Sequence, residues 1–270
     1  MSTAKVLLLG GIAGMTILLG LPIGRLRRAA LRTRAFLNAL AIGILVFLVF
    51  DVLSHANEPV EAALTAAHDG DGSWARFVGL SAVFALGIAV GLVGLVYYDK
   101  RMNAAITAET EAVKAGAWTP AHHLAFLIAA GIGLHNFSEG LAIGQSAANG
   151  DVNLAIVLII GFALHNGTEG FGIVAPLAAE QQRPSWTFLA TMGLVGGGPT
   201  FVGTLVGHSF VNDTLFLGFL ALAAGSILYV IVQLVKVAAR QKLPEVLMWG
   251  IFVGLVAGFA TDYVLVVAGG

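Results

Sequence analysis

The stretch GIGLHNFSEG, residues Gly131 to Gly140, places a histidine, an asparagine and a glutamate inside an otherwise apolar segment. A second copy, GFALHNGTEG, occupies residues 161–170. In each copy the glutamate lies four residues after the histidine and three after the asparagine, so all three side chains share one helical face. If the two helices face each other, six nitrogen- and oxygen-bearing groups converge in the membrane interior. These are His135, Asn136, Glu139, His165, Asn166 and Glu169.

The composition is that of a polytopic membrane protein. Hydrophobic residues make up 58% of the 270 and charged residues 11%, and the mean hydropathy is +0.90, which excludes an ordinary soluble domain. We expect one transmembrane domain over residues 1–270, with membrane lipid around it and no surface for nucleic acid. The absence of cysteine excludes disulfides and thiolate ligands, so any metal must be held by imidazole, carboxylate or amide groups.

Eight apolar stretches are long enough to span a membrane, since about 20 residues cross the hydrocarbon core. They run roughly over residues 4–24, 35–56, 77–98, 121–147, 152–180, 187–210, 214–236 and 245–268. We therefore predict an all-α polytopic fold with eight transmembrane helices. The segment at about 99–119 mixes charges with alanines and is predicted to be a partly helical cytoplasmic connector.

The basic residues predict the orientation, because short translocated loops carry few Lys or Arg. The loops after stretches one, three, five and seven hold Arg25, Arg27, Arg28, Arg32, Arg34, Lys100, Arg101, Lys114, Arg183, Lys236, Arg240 and Lys242. Lys5 and Arg76 lie on the other side of the membrane. This distribution predicts a multi-pass protein of the cell (inner) membrane with both termini outside the cytoplasm.

The two motif glutamates predict a bound cation. An ionised carboxylate at mid-membrane costs about 2.5–3.5 kcal/mol on insertion scales, and neither Glu139 nor Glu169 has a Lys or Arg partner within the predicted spans. Protonation, imidazole, water or a cation can compensate, but only a divalent cation explains why histidine and glutamate recur together. Imidazole with carboxylate and amide ligands suits Zn²⁺ first, then Fe²⁺, Mn²⁺ or Co²⁺, with Cd²⁺ as a further candidate.

Three functions use such a site. A transporter moves the ion as its substrate and needs no cofactor; an intramembrane zinc metalloenzyme needs an open coordination position and a separate general base. The chain has no HExxH motif, and both glutamates are interpreted as ligands, which favours transport over an enzyme. A static metal sensor is disfavoured because eight spans leave no sizeable soluble domain. A carrier that prefers iron or manganese remains an open alternative.

The same residues resemble the ZIP family of divalent-metal transporters, especially its prokaryotic members. The resemblance covers nearly the whole chain and is carried by LHNFSEG against the family's HNxPEG, by the second motif, by the run from Ala223 to Val230, and by the glycine-spaced eighth stretch. It implies inverted repetition of the first and last three spans around spans four and five (3+2+3). It also implies a metal site between those two helices, alternating access against a dimerising scaffold, and a homodimer. The six motif residues named above are then the metal ligands.

Three departures from the family pattern carry further expectations. Ser138 and Thr168 replace the motif prolines, so the helix bend must come from a hydroxyl bonded to a backbone carbonyl, or be weaker. Gly198 stands where similar proteins have a glutamate that bridges a second metal, which predicts one bound ion rather than two. Gln233 stands where span seven often carries a glutamate, and we include it as a residue of the pathway.

Four more residues are candidates for the pathway. Asp51 and His55 are one turn apart near the outer end of span two and can pass a cation inward. His122 and His123 lie at the cytoplasmic start of span four and can receive it. The alternative for each pair is a hydrogen-bonded helix end.

Overall fold

The computed structural model of the chain describes residues 2–26, 31–108, 118–180, 182–210 and 212–267. All regular secondary structure in these ranges is helical, and eight helical segments there are long and apolar enough to cross a membrane. The predicted all-α polytopic fold is therefore confirmed. The middle of the predicted connector, residues 109–117, lies outside the described residues, as do Arg27, Arg28 and Lys114.

In the described residues the eight spans are built from nine α-helices, because α3 and α4 together form one span. Their bounds are α1 Thr3–Met15, α2 Leu31–Asp69, α3 Trp74–Ala89, α4 Leu95–Ala108, α5 Pro120–Ala148, α6 Val152–Val174, α7 Trp186–Ser209, α8 Asp213–Arg240 and α9 Pro244–Val267. Two 3₁₀ turns, Thr16–Leu19 and Leu21–Arg25, continue α1, and a third, Ala175–Ala179, continues α6. A π turn at Val90–Gly94 joins α3 to α4.

Helix α2 is longer than the predicted span of residues 35–56. It continues to Asp69 because its last turns still have an apolar face, on which Val60 and Ala63 pack with Leu80 and Leu217 in a small cluster. The sequence prediction was based on membrane-spanning length and missed this extension.

The helices form two groups that meet around the motifs. Helices α1, α5, α6 and α7 pack together, as do α2, α3, α8 and α9, and the groups join where α8 contacts α5 and where α2 contacts α6. Helix α2 packs on α9, and α8 packs on α3. These two contacts correspond to each other if the last three spans repeat the first three, so they agree with the predicted inverted repetition. Glycines bring some of these helices very close: a Cβ at Gly254 of α9 would lie 3.0 Å from the Cα of Gly43 of α2.

The two ends of the bundle differ in charge. We call one the acidic end, where α2 ends and α3 begins, because it holds Glu58, Glu61, Asp69 and Asp71. The opposite end, where α1 ends and α5 begins, is the basic end and holds Arg25, Arg32, Arg183, Arg240 and Lys242.

Candidate metal centre

Helices α5 and α6 bring the two sequence motifs together in the middle of the bundle. Helix α5 begins at Pro120, and Thr119 caps it by accepting a hydrogen bond from the His122 backbone N–H at 3.4 Å. Its central turns lie in the core, since α5 is the most buried of the spans. His135, Asn136, Glu139, Asn166 and Glu169 are buried, and the His165 side chain is 11% exposed.

Glu139 lies between the two motif histidines. Its Oε1 is 2.5 Å from His165 Nε2 and 2.9 Å from His135 Nε2. The first distance is a hydrogen bond in which the imidazole N–H donates to the carboxylate; the second lacks hydrogen-bond alignment. One carboxylate oxygen therefore contacts a ligand nitrogen from each motif.

Glu169 completes the cluster from the side of α6. Its Oε1 is 3.9 Å from His135 Nε2, and its Oε2 accepts a weak hydrogen bond from Asn136 Nδ2 at 3.4 Å. Ligand atoms of His135, His165 and Glu169 all lie within 4.8 Å of one another. The structure thus brings together four of the six predicted ligand residues as a compact nitrogen and oxygen cluster.

The two asparagines tie the motifs to neighbouring helices through their amide nitrogens. Asn136 Nδ2 donates to Gly196 O of α7 at 2.9 Å, and Asn166 Nδ2 donates to Ala13 O of α1 at 3.3 Å. The glycines Gly196 to Gly198 followed by Pro199 favour a kink or a break within α7, but no break occurs, since the helix is continuous from Trp186 to Ser209. The oxygen of each amide has no hydrogen-bond donor among the described residues and stays available to an ion.

The hydroxyls at the motif proline positions bond to the backbone as predicted. Ser138 Oγ donates to His135 O and Thr168 Oγ1 donates to His165 O, both at 2.7 Å. Each hydroxyl therefore bonds the carbonyl of the histidine in its own motif. Both helices remain regular through the motif, because a hydroxyl leaves the backbone N–H in place where a proline would remove it.

This cluster has the chemistry of a first-row divalent-metal site. Zinc is typically held by four ligands at about 2.0–2.2 Å in a tetrahedron, which places ligand atoms about 3.3 Å apart. The distances of 2.5, 2.9 and 3.9 Å differ from that spacing by less than about 1 Å. Oε2 of Glu139 and Oε1 of Glu169 are buried without a hydrogen-bond donor. Such unpaired acceptors are rare in proteins, and a cation would satisfy them.

A cavity of about 310 Å³ reaches this cluster from the acidic end. His135, Ser138 and Glu139 form its floor, and Asp51, His55 and Asp262 lie farther along its wall. A smaller cavity of about 170 Å³ joins Asp51 and Asp262 to His165 and Thr168.

Asp262 was missed by the sequence analysis. The signal was present, because it is an acid inside the eighth apolar stretch, like Glu139 and Glu169 in theirs. Asp51 and His55, one turn apart on α2, have an Oδ1–Nδ1 distance of 3.5 Å. Asp51 and Asp262 line both cavities, so α2 and α9 together supply the polar wall of the approach.

A separate cavity of about 580 Å³ opens at the basic end and is lined by His123, Gln233 and Glu180, among others. His122 is not among its lining residues; its Nδ1 lies 2.7 Å from Thr119 Oγ1 and its ring packs edge-on against Phe188. No motif residue lines this cavity in the described part of the chain.

Buried apolar side chains occupy the turns between the metal cluster and the basic end. Ile128, Ile132, Ile173 and Leu177 are each at most 1% exposed. In this conformation the cluster therefore has access from the acidic end and is closed toward the basic end.

Two comparisons with known proteins concern the family of this chain. A search of curated proteins finds no match to the chain. The family model described as ZIP zinc transporter matches residues 99–265, more than half of the chain, and the matched region contains both motifs. The resemblance seen in the sequence is thereby confirmed, and the chain belongs to the ZIP zinc transporter family, whose members carry divalent metal ions across membranes.

Proposed function

We propose that this protein carries Zn²⁺ across the membrane by alternating access, through the site made by His135, Glu139, His165 and Glu169. The main evidence is that one Glu139 oxygen contacts a histidine from each motif, so both helices supply ligands to one point. Asn136 and Asn166 contribute their free amide oxygens as further candidate ligands.

Access from the acidic end supports the first half of the transport cycle. A cation that passes Asp51, His55 and Asp262 can reach the cluster through the existing cavity. Binding neutralises the two glutamates and lowers the cost of keeping them in the membrane interior. Release requires a second conformation, in which the buried apolar turns part and the site opens to the basic-end cavity with His123 and Gln233.

The charge of the two ends supports an inward direction of transport. Cytoplasmic loops carry the excess of Lys and Arg, so the basic end faces the cytoplasm and the metal moves inward. In the proposed orientation both termini lie outside the cytoplasm, and the membrane is the inner membrane of the cell.

A homodimer is part of the proposal. Helices α3 and α9 lie at the edge of the bundle, and large apolar side chains such as Leu86, Trp249 and Phe252 are more than half exposed. These helices offer a broad surface for a second copy, and they belong to the group of α2, α3, α8 and α9 and not to the group that carries the motifs.

Transport fits the cluster better than catalysis. A zinc hydrolase keeps one carboxylate apart from the metal as general base, whereas Glu139 contacts both histidines and Glu169 lies 3.9 Å from one of them. Neither acid is set apart for a second role.

Reconstituted vesicles containing a zinc-sensitive dye test the proposal. Wild-type protein should accumulate Zn²⁺, and Glu139→Ala and His165→Ala should abolish uptake. Glu61→Ala is the matched control, because Glu61 is an exposed acid that pairs with Asn57 far from the cluster. Normal uptake by both site variants would disprove the site assignment. Tight Zn²⁺ binding without flux would support a sensor, and competition with Fe²⁺, Mn²⁺ and Cd²⁺ measures selectivity.

A further inference from the structure

Asn38 is a buried amide that no part of the described chain satisfies. Its side chain is 1% exposed, and neither Nδ2 nor Oδ1 has a hydrogen-bond partner among the described residues. An unpaired buried amide is unfavourable, and such groups in a native structure call for an explanation. In the membrane interior, where polar side chains are rare, that explanation is usually functional.

The helical period of α2 places Asn38 between the cavity at the basic end and the cavity of about 310 Å³ at the acidic end. Seven residues make almost two helical turns, so Leu31, Asn38, Leu45 and Val52 lie along one face at steps of about 10 Å. Leu31 lines the basic-end cavity and Val52 lines the acidic-end cavity. Asn38 and Leu45 are the positions between them on this face, and each is 1% exposed.

This face of α2 is directed at the helices around the metal site. One turn beyond Asn38, the Ala41 side chain lies beside Gly172 of α6: a Cβ at Gly172 would be 3.8 Å from Ala41 Cβ and 3.1 Å from Leu234 of α8. Gly172 follows Glu169 by three residues, toward the basic end. Asn38 therefore lies on the basic side of the cluster, where α2 faces α6 and α8.

We propose that Asn38 Oδ1 binds the transported divalent cation after it leaves Glu139 and Glu169, in the conformation that opens to the basic end. An amide oxygen is suitable as a transient ligand, because it is polar but lacks the charge that would hold the ion tightly. In the conformation described here the amide has no protein partner among the described residues, as expected of a group whose ligand binds in another conformation. This inference rests on the proposed transport function.

The test uses Asn38→Leu in the full-length protein, which replaces the amide with an apolar side chain of similar size. Because the amide has no partner to lose, the thermal midpoint should be unchanged or higher than that of the wild type. Equilibrium Zn²⁺ binding at the central site should be unchanged. Zn²⁺ uptake should fall by about tenfold or more, since losing even a group that only supports a metal ligand costs about 10–100-fold in affinity or activity.

Two further variants separate a ligand role from a structural one. Asn38→Gln keeps a neutral amide oxygen and should retain more uptake than Asn38→Leu. Asn57→Leu is the matched control, since it makes the same replacement on the same helix at a residue whose Nδ2 bonds Glu61 at the surface. Its uptake should equal that of the wild type.

The outcomes distinguish this inference from the proposed function. Normal uptake by Asn38→Leu overturns the role of Asn38 and leaves transport standing. A lower thermal midpoint or weaker Zn²⁺ binding in that variant assigns Asn38 to structure or to the central site, and also overturns it. Equal loss of uptake in Asn38→Leu and Asn38→Gln also overturns it. Absence of uptake in the wild-type protein would refute the proposed function itself.

Discussion

Replacing Gly140 with alanine tests the packing that holds the motif helix α5 against α7. Gly140 directly follows Glu139, and its Cα faces the backbone of α7. A Cβ there would lie 2.8 Å from Thr204 N and closer still to Thr200 O. Ordinary Cβ contacts begin at 3.4 Å, and both atoms belong to the backbone, so they cannot rotate away. Helix α7 must therefore move outward for the methyl group to fit.

The expected magnitude is that of an overpacked core. Adding a methyl group to a closely packed site costs typically about 1–3 kcal/mol. Alanine also gains helix propensity over glycine, so the comparison needs a second glycine without neighbours. Gly79 of α3 provides it, because a Cβ there would have nothing within 4 Å. The difference between Gly140→Ala and Gly79→Ala isolates the clash, since the propensity term is shared.

The assay is thermal unfolding of both purified variants in one detergent at one scan rate, followed by Zn²⁺ uptake in vesicles. A difference of 1–3 kcal/mol corresponds to a midpoint about 2–12 °C lower for Gly140→Ala than for Gly79→Ala. Uptake should fall in Gly140→Ala alone, because separating α5 from α7 displaces Glu139 from the two histidines. Equal midpoints for the two variants would refute the close α5–α7 packing described above.

Three further predictions concern the metal site. Zn²⁺ at about 100 times its Kd should stabilise the wild type by about 2.7 kcal/mol and leave His135→Ala unstabilised; a thermal shift assay measures both, and equal shifts would contradict the ligand assignment. Ser138→Ala removes the 2.7 Å hydrogen bond to His135 O and should lower the unfolding free energy by about 0.5–1.5 kcal/mol. Denaturant titration measures this change. Ser54→Ala is the control, because the Ser54 hydroxyl also bonds a backbone carbonyl. Asp262→Asn should lower uptake at low Zn²⁺ concentration while calorimetry finds central binding unchanged; unchanged uptake would remove Asp262 from the approach.

Much of the site was predictable because its determinants are local. The helical period alone places His135, Asn136 and Glu139 on one face, and the cost of a lone carboxylate in the membrane interior marks both motifs as unusual. The same reasoning applied to Asp262 would have found it. The hydroxyl bonds of Ser138 and Thr168 were also predictable, because donor and acceptor lie three residues apart on one helix.

Other features depend on helix contacts that local patterns do not specify. The continuity of α7 through Pro199 is one, since nearby packing decides whether a proline breaks a helix. The unpaired state of Asn38 is another, because an amide in an apolar helix is expected to find a partner on a neighbouring one.

By itself, the sequence determined that the protein spans the membrane eight times, that two repeated motifs carry metal-binding side chains, and that the chain resembles ZIP transporters. These conclusions depend on hydropathy and on spacing within single helices. Only the tertiary structure decided that one Glu139 oxygen contacts both histidines, that Asp51 and Asp262 share the approach, and that the site has access from one end. Each of these depends on the angle and depth at which helices distant in the chain pack together, which are properties of the assembled bundle.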